Sequence, residues 1–432
     1  MTGPVTRLVL PNGLTIQLRE IHTAPIISHW IWYRVGSRDE LPGLTGLSHW
    51  VEHMQFKGTP LFPNAVLDKA IAREGGVWNA FTYLDWTTYY ETLPADKIDL
   101  ALRLEADRMV NSLFISAEVE SERTVIISER EGNENQPLFR LGEAVQHRSF
   151  SLHPYHHEVI GELEDLKGIQ RDDLYQHYRT YYQPDNAVLA MAGDFDTDAM
   201  LARIVDLYRD VPAEITARRV PTAEPPLADE QQVEVRGPGQ TQFIQLAYRA
   251  PGAASEDFFY CAVLDSLLTG PMSLNMFGGG GISNKTSRLY RALVENELVV
   301  SVHGGLQATL DPFMYDITLT VRDDKTPEEV LAVLDRELAQ LQDAKVTEQE
   351  INRAIKQARA MFAYGSENIT NQAFWLGYAE MFATYDWFRT YLERLAAVTP
   401  GDVQRMAQHY LDPHHRVVGR YIPTGNGKAN PE

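Results

Sequence analysis

Three short segments near the N-terminus, Arg7 to Pro11, Leu14 to Leu18 and Ile26 to Tyr33, are rich in apolar and β-branched residues. The turn signal Pro11-Asn12-Gly13 separates the first two, and the pattern predicts antiparallel β-structure. Helical periodicity follows over Leu44 to Met54, Asp96 to Asn111, Ala117 to Asn133 and Thr197 to Tyr208, with a strand-like Asn186 to Ala192 ahead of the last. Helices and strands are mixed, so the expected class is α+β, a sheet layered with helices on one face.

Between Pro212 and Gln232 the apolar periodicity lapses into the polar, proline-bearing Arg218-Arg-Val-Pro-Thr-Ala-Glu-Pro-Pro. Such stretches join domains. The expected division is a domain over 1–215, a linker over 216–232 and a second domain over 233–432. The halves also read as distant copies. Leu166, Ile169, Asp173, Leu174, Tyr182 and Pro184 recur, each 229 residues on, as Leu395, Val398, Asp402, Val403, Leu411 and Pro413. Trp32-Tyr33-Arg34 likewise matches Ala247-Tyr248-Arg249. Two homologous halves imply a cleft between them.

Composition narrows the functional classes. At 432 residues the chain is long enough for two cores, and 44% hydrophobic with 23% charged residues argues against a disordered or fibrous protein. A net charge of −20 repels nucleic acids and anionic membranes. The single cysteine, Cys261, cannot form an intrachain disulfide and sits among Phe259, Tyr260, Ala262 and Val263, so it reads as a buried small hydrophobe. No membrane span and no export signal is visible. The expected location is cytoplasmic, or periplasmic if a signal peptide has been removed.

The candidate chemistry lies in Leu47-Ser48-His49-Trp50-Val51-Glu52-His53-Met54. On a helix, residues four apart share a face, so His49 and His53 can hold one ion. Glu52 lies beside that face and can reach a water on the ion without being a ligand, as in the H-x-x-E-H arrangement. Zinc suits two imidazoles, and a catalytic zinc needs a third protein ligand and an open position. The plain alternative is chance spacing on a solvated helix. Against chance stands the helix Ala117 to Asn133, on which Glu122, Val125, Ile126 and Glu129 share one face. That places two carboxylates on an apolar stripe, where charge is costly unless paired or metal-bound.

With these motifs the sequence resembles the pitrilysin family of inverzincin zinc peptidases, which includes insulysin and the mitochondrial processing peptidase. In that family the third ligand is a glutamate about 76 residues after the second histidine, with another functional glutamate seven before it; here these positions are Glu129 and Glu122. Gly75-Gly-Val-Trp-Asn-Ala-Phe-Thr82 is similar to the family's glycine-glycine, asparagine-alanine, threonine signature. The resemblance implies two homologous domains, each a mixed, mostly antiparallel sheet layered with helices, enclosing a cleft. It implies one Zn2+ per chain on His49, His53 and Glu129, with Glu52 as general base and Glu122 as a supporting carboxylate. Asn79, Ala80, Phe81 and Thr82 would form an edge strand that binds extended peptides. The implied activity is that of a metalloendopeptidase subunit acting on peptides or unfolded segments.

The chain departs from the family in its second half. Matching Ser287-Arg288-Leu289 and Ser301-Val302 to the family's pattern puts Val294 and Val300 where other members carry an arginine and a tyrosine that reach the substrate carbonyl. A homologous partner subunit supplying both, in a heterodimer, is the expectation; Arg288 and Tyr290 are nearby alternatives. A non-catalytic subunit is the second reading, which intact His49, Glu52, His53 and Glu129 oppose. His153-Pro-Tyr-His156-His157 reads as a turn, because Pro154 opposes helical ligand spacing. Phe277-Gly-Gly-Gly-Gly-Ile-Ser-Asn-Lys285-Thr286 approaches a phosphate loop but has Asn284 where glycine should precede lysine.

Overall fold

The computed structural model describes residues 4–64, 66–214, 216, 220–275 and 282–425, so residues 217–219 of the linker and 276–281 of the glycine-rich loop lie outside them. The chain forms two compact units: Met1–Arg130 with His157–Pro221 and Glu367–Phe388, and Glu131–His156 with Thr222–Ser366 and Arg389–Glu432.

The first unit is built on six strands, β1 (Thr6–Val9), β2 (Thr15–Glu20), β3 (Ile26–Tyr33), β4 (Val77–Thr82), β5 (Thr87–Pro94) and β6 (Ala187–Gly193), in the order β1-β2-β6-β3-β5-β4. β1 and β2 pair antiparallel as the sequence predicts, while β3 is separated from them by a strand from later in the chain. β6 stands between β2 and β3, parallel to β2 and antiparallel to β3. Its sequence Ala-Val-Leu-Ala-Met-Ala-Gly is buried at every position, and a strand apolar on both faces belongs at the centre of a sheet. β4, exposed or half-exposed at every position but Ala80, takes the edge.

The second unit contains β7 (Gln231–Gly237), β8 (Phe243–Arg249), β9 (Val299–Leu306), β10 (Met314–Val321) and β11 (Arg416–Pro423), in the order β7-β11-β8-β10-β9. This repeats the first sheet from β2 onward, including its one parallel pair, here β7 with β11. The internal repeat holds at the level of elements. Helices begin at Arg171 and Pro400, 3-10 turns at Pro184 and Pro413, and central strands at Ala187 and Arg416. Both units are thus α+β, as the pattern predicts. Among the described residues no helix is long and apolar enough to cross a membrane.

Each sheet is covered by a helix drawn from the other half of the sequence. Helix Pro137–Ser149 packs on β7, β8 and β11. Helix Ile369–Phe382 packs on β3 and β6. The latter is buried along nearly its whole length, as a helix with no solvent face must be. Phe374 sets its ring edge against Trp30 and Trp32 of β3, with centroids 5.5 and 5.3 Å apart. Gly377 permits this approach: a Cβ there would lie 2.1 Å from Trp32 Nε1. Gly377→Ala is expected to force the helix off β3 and cost about 1–3 kcal/mol of stability. Urea unfolding followed by tryptophan fluorescence should show a lowered midpoint, and an unchanged midpoint would contradict this packing.

Candidate metal centre

The helix Leu47–Met54 carrying the two histidines has eight residues, too few for stability of its own. Its position is imposed from outside. Gly46 precedes it in the left-handed region at φ 88°, and a side chain there would meet the Ile160 carbonyl. The Glu40 carboxylate accepts the Gly46 and Ser48 N–H groups at 2.8 and 2.7 Å, satisfying donors that no turn of the helix can reach. His157 Nε2 holds the same carboxylate at 2.9 Å. Leu47, Trp50, Val51 and Met54 enter the core, and the Arg123 guanidinium stacks 4.8 Å from the Trp50 ring. His49 and His53 remain half-buried, their ring centroids 4.6 Å apart.

The helix Ser116–Glu134 supplies the carboxylates. Glu129 brings its oxygens to 3.9 Å from His49 Nε2 and 3.7 Å from His53 Nε2, and one donor atom from each of the three residues lies within 4.8 Å of the others. Donors each about 2.1 Å from a tetrahedral zinc lie about 3.4 Å apart, so this two-nitrogen, one-oxygen set fits that ion. Burial, reinforced by His53, pushes His49 down to about 3, which leaves the neutral, metal-binding imidazole. His49 Nδ1 is buried without a hydrogen-bond partner, whereas His53 Nδ1 meets Glu122 Oε1 at 2.8 Å. That contact fixes the proton on Nδ1 and directs Nε2 toward Glu129.

Glu122 is buried and also pairs with Lys57. Burial favours its neutral form, but the hydrogen bonds from His53 and Lys57 outweigh it and hold its pKa below the usual carboxylate value. Burial likewise opposes charge on His53, yet the Glu122 hydrogen bond and the charges of Glu52, Glu122 and Glu129 together raise its pKa. Glu52 is 9% exposed, and Thr82 Oγ1 donates to its Oε2 at 2.6 Å. Burial pushes Glu52 up to about 7 against that hydrogen bond.

One step of the sequence argument is corrected here. The buried stripe of the 116–134 helix is Val119, Glu122, Ile126 and Arg130, while Val125 and Glu129 fall on the next row and are exposed. Glu129 is therefore not a carboxylate stranded on an apolar face; its nearness to two imidazoles is what singles it out. Asn79, Ala80, Phe81 and Thr82 lie on the edge strand β4, where Asn79 Oδ1 accepts the Ala80 N–H at 2.9 Å. Thr82 is committed to Glu52. Glu40, Lys57 and the Thr82 contact escaped the sequence reading; Lys57 lies beyond the end of the histidine helix, where helical spacing gives no guide. His157 serves Glu40, and Pro154–His156 forms a 3-10 turn, as Pro154 suggests. Cys261 is buried.

The second unit keeps the frame without the chemistry. Carrying the Tyr33 to Tyr248 match forward puts Leu264, Leu267 and Leu268 of helix Glu256–Leu268 where His49, Glu52 and His53 stand, and all three are buried. Val294 is half-buried, and Val300 on the edge strand β9 is 63% exposed. Arg288 is bound by Glu350 at 2.7 Å.

Known proteins share this organisation. The family profile described as Insulinase (Peptidase family M16) matches residues 15–162, and that of the Peptidase M16 inactive domain matches residues 168–358. An uncharacterized zinc protease of Streptomyces coelicolor is 28% identical over 430 residues, spanning 96% of this chain and 90% of that protein. Mitochondrial-processing peptidase subunit beta of Lentinula edodes is 25% identical over 415 residues, spanning 95% and 88%. The crystal structure of a protease from Helicobacter pylori shares the fold, with a TM-score of 0.89 at 22% identity, covering 98% of this chain and all of that one. With one family's profiles matching successive stretches on two repeated units, the chain belongs to peptidase family M16, the insulinase family.

Proposed function

We propose that the chain is a zinc-dependent metalloendopeptidase subunit in which His49, His53 and Glu129 hold one zinc ion and Glu52 is the general base. The observation that carries this is the convergence of two imidazoles and a carboxylate beside a buried glutamate. The names of the Streptomyces coelicolor and Lentinula edodes relatives, a zinc protease and a processing peptidase subunit, agree with it. Zinc, when bound, supplies Lewis acidity and lowers the pKa of water beside it toward about 7.

The side chains divide the remaining work. Glu52 takes a proton from the attacking water and returns it to the leaving nitrogen, a contribution of about 10²–10⁴-fold in rate. Its burial raises its basicity, and the Thr82 hydroxyl holds its orientation. Glu122 orients His53. The edge strand β4 receives an extended peptide as a further strand along Asn79, Ala80 and Phe81, with Thr82 at its end. In this reading the first unit, which takes most but not all of residues 1–215, is the zinc-binding one, and the second, which takes most of 233–432 together with 131–156, is its homologue without metal.

Glu52→Gln is expected to lower peptide hydrolysis below about 1% of wild type while zinc, measured by metal analysis, stays at one per chain. His49→Ala, His53→Ala and Glu129→Gln should lose both. Zinc retained at full affinity in Glu129→Gln would remove Glu129 from the ligand set.

Glu122→Gln removes the charge facing His53 and Lys57 without changing shape. Zinc affinity, measured by chelator competition, should fall about 10- to 100-fold while the fold is retained. Unchanged affinity would reduce Glu122 to a structural ion pair with Lys57.

We further propose that full activity needs a homologous partner chain. Valine at positions 294 and 300 has no donor for the oxyanion of a tetrahedral intermediate, and one such donor is worth about 10²–10³-fold in rate. Arg288 is tied to Glu350 and so is poorly placed to substitute. Assays of the chain alone, and with the product of an adjacent homologous gene, should show strong activation by the partner. Full activity of the isolated chain would overturn the heterodimer.

A further inference from the structure

The second unit contains a cavity of about 190 Å³ lined by Ser149, Leu227, Tyr248, Arg249, Met314 and His415, among others. The two units offer an internal comparison there, because Arg34 and Arg249 follow the matched tyrosines Tyr33 and Tyr248. In the first unit Arg34 Nε donates to the Glu380 carbonyl on the covering helix at 3.3 Å, and the Glu380 carboxylate lies 3.9 Å from Arg34 Nη2. In the second unit Arg249 Nη2 donates at 2.9 Å to the carbonyl of Ser149 on its own covering helix. Here the carboxylate is missing. Serine replaces glutamate, and its hydroxyl is turned back to the Val145 carbonyl at 2.8 Å.

Among the described residues no carboxylate pairs directly with Arg249. Its guanidinium stacks 4.2 Å from the Phe150 ring, and its Nη1 is buried with no hydrogen-bond partner. Burial lowers its pKa, partly offset by the charge of Glu224. The Glu224 carboxylate is itself taken up by the N–H groups of Ser151, Leu152 and His153. A half-buried cation without a directly paired anion is costly, and its persistence calls for an occupant. His409 and His415, both exposed, add two further donors to the lining.

We propose that this cavity binds a small carboxylate with an apolar body, the carboxylate on Arg249 and the body against Leu227, Tyr248 and Met314. A planar guanidinium suits a carboxylate, and the aliphatic and aromatic walls give the remainder an apolar lining. The site is independent of the zinc reading and shares no residue with it. A free amino-acid derivative and the C-terminus of a peptide present the same chemistry.

Isothermal titration of the full chain with N-acetyl-L-leucine tests it. One saturable site per chain is expected, with N-acetyl-L-leucinamide about tenfold weaker or more, since it lacks the charge. A leucine-terminated pentapeptide, as free acid and as amide, shows whether chain ends enter as well as free molecules; preference for the acid supports the site in either case. Arg249→Gln should weaken binding about tenfold or more. Leu227→Trp, which fills the cavity and leaves the contacts of Arg249 with Ser149 and Phe150 in place, should do the same and serves if Arg249→Gln does not fold. Equal binding of acid and amide, no binding of the acid at millimolar concentration, or undiminished binding in a folded variant overturns the proposal.

Discussion

Two imidazoles can share an ion only if the short helix that carries them is held rigidly, and eight residues cannot hold themselves. Everything else in the site follows from how that helix is fixed. Its N-terminus is pinned by the Glu40 carboxylate, which acts as an external cap, and its apolar side is pinned by Trp50, Val51 and Met54 in the core. Arg123 connects it to the carboxylate helix: the guanidinium lies over Trp50 while Nη2 donates to the Ile169 carbonyl at 2.7 Å. The helix that supplies Glu122 and Glu129 is therefore registered against the helix that supplies His49 and His53.

Below this assembly the first unit buries a polar cluster. Arg108 Nε donates to Glu105 at 2.8 Å, and Arg108 Nη2 lies 3.5 Å from Glu91, whose other oxygen meets His29 Nδ1 at 3.0 Å. Burial pushes the carboxyls of Glu91 and Glu105 up, the latter well above its ordinary value, and His29 down to about 4. Such a cluster is a weak source of net stability but a strong specifier of geometry, because removing one member leaves a buried charge unanswered. Its guanidinium also lies 4.2 Å from the Tyr89 ring, 5.8 Å from Trp78 and 5.6 Å from Phe56. One cation thus ties the exit of the histidine helix to the edge strand β4, and so helps to set the distance over which Thr82 reaches Glu52.

How much of this was legible in the sequence depends on range. His49, Glu52 and His53 could be read because their relation is set by helical periodicity alone, and the repeat could be read because spacing survives where identity does not. Glu129 needed the family resemblance. Its own helix gives no sign, since it lies off the buried stripe, and only the fold brings it to the imidazoles. The central place of β6 was written in its unbroken apolar run, whereas its parallel pairing with β2 joins distant segments and has no local sign. Glu40, which stands seven residues before the helix it caps, and the exchange of covering helices depend on contacts between distant segments, for which no local pattern exists.

The two units then show what a duplicated frame constrains and what it leaves free. Strand order, the single parallel pair and the covering helix are shared, because they decide whether each sheet is buried. The residues on that frame are not under the same demand. Where the first unit places His49, Glu52 and His53, the second places three leucines that fill the core instead. Where the first answers Arg34 with Glu380, the second offers Arg249 a serine. The first of these changes removes a charged cluster and puts buried apolar side chains in its place. The second removes only the anion and leaves the cation, which is the costlier state unless something else supplies the missing charge. Loss of chemistry therefore accounts for the leucines, and it does not account for Arg249.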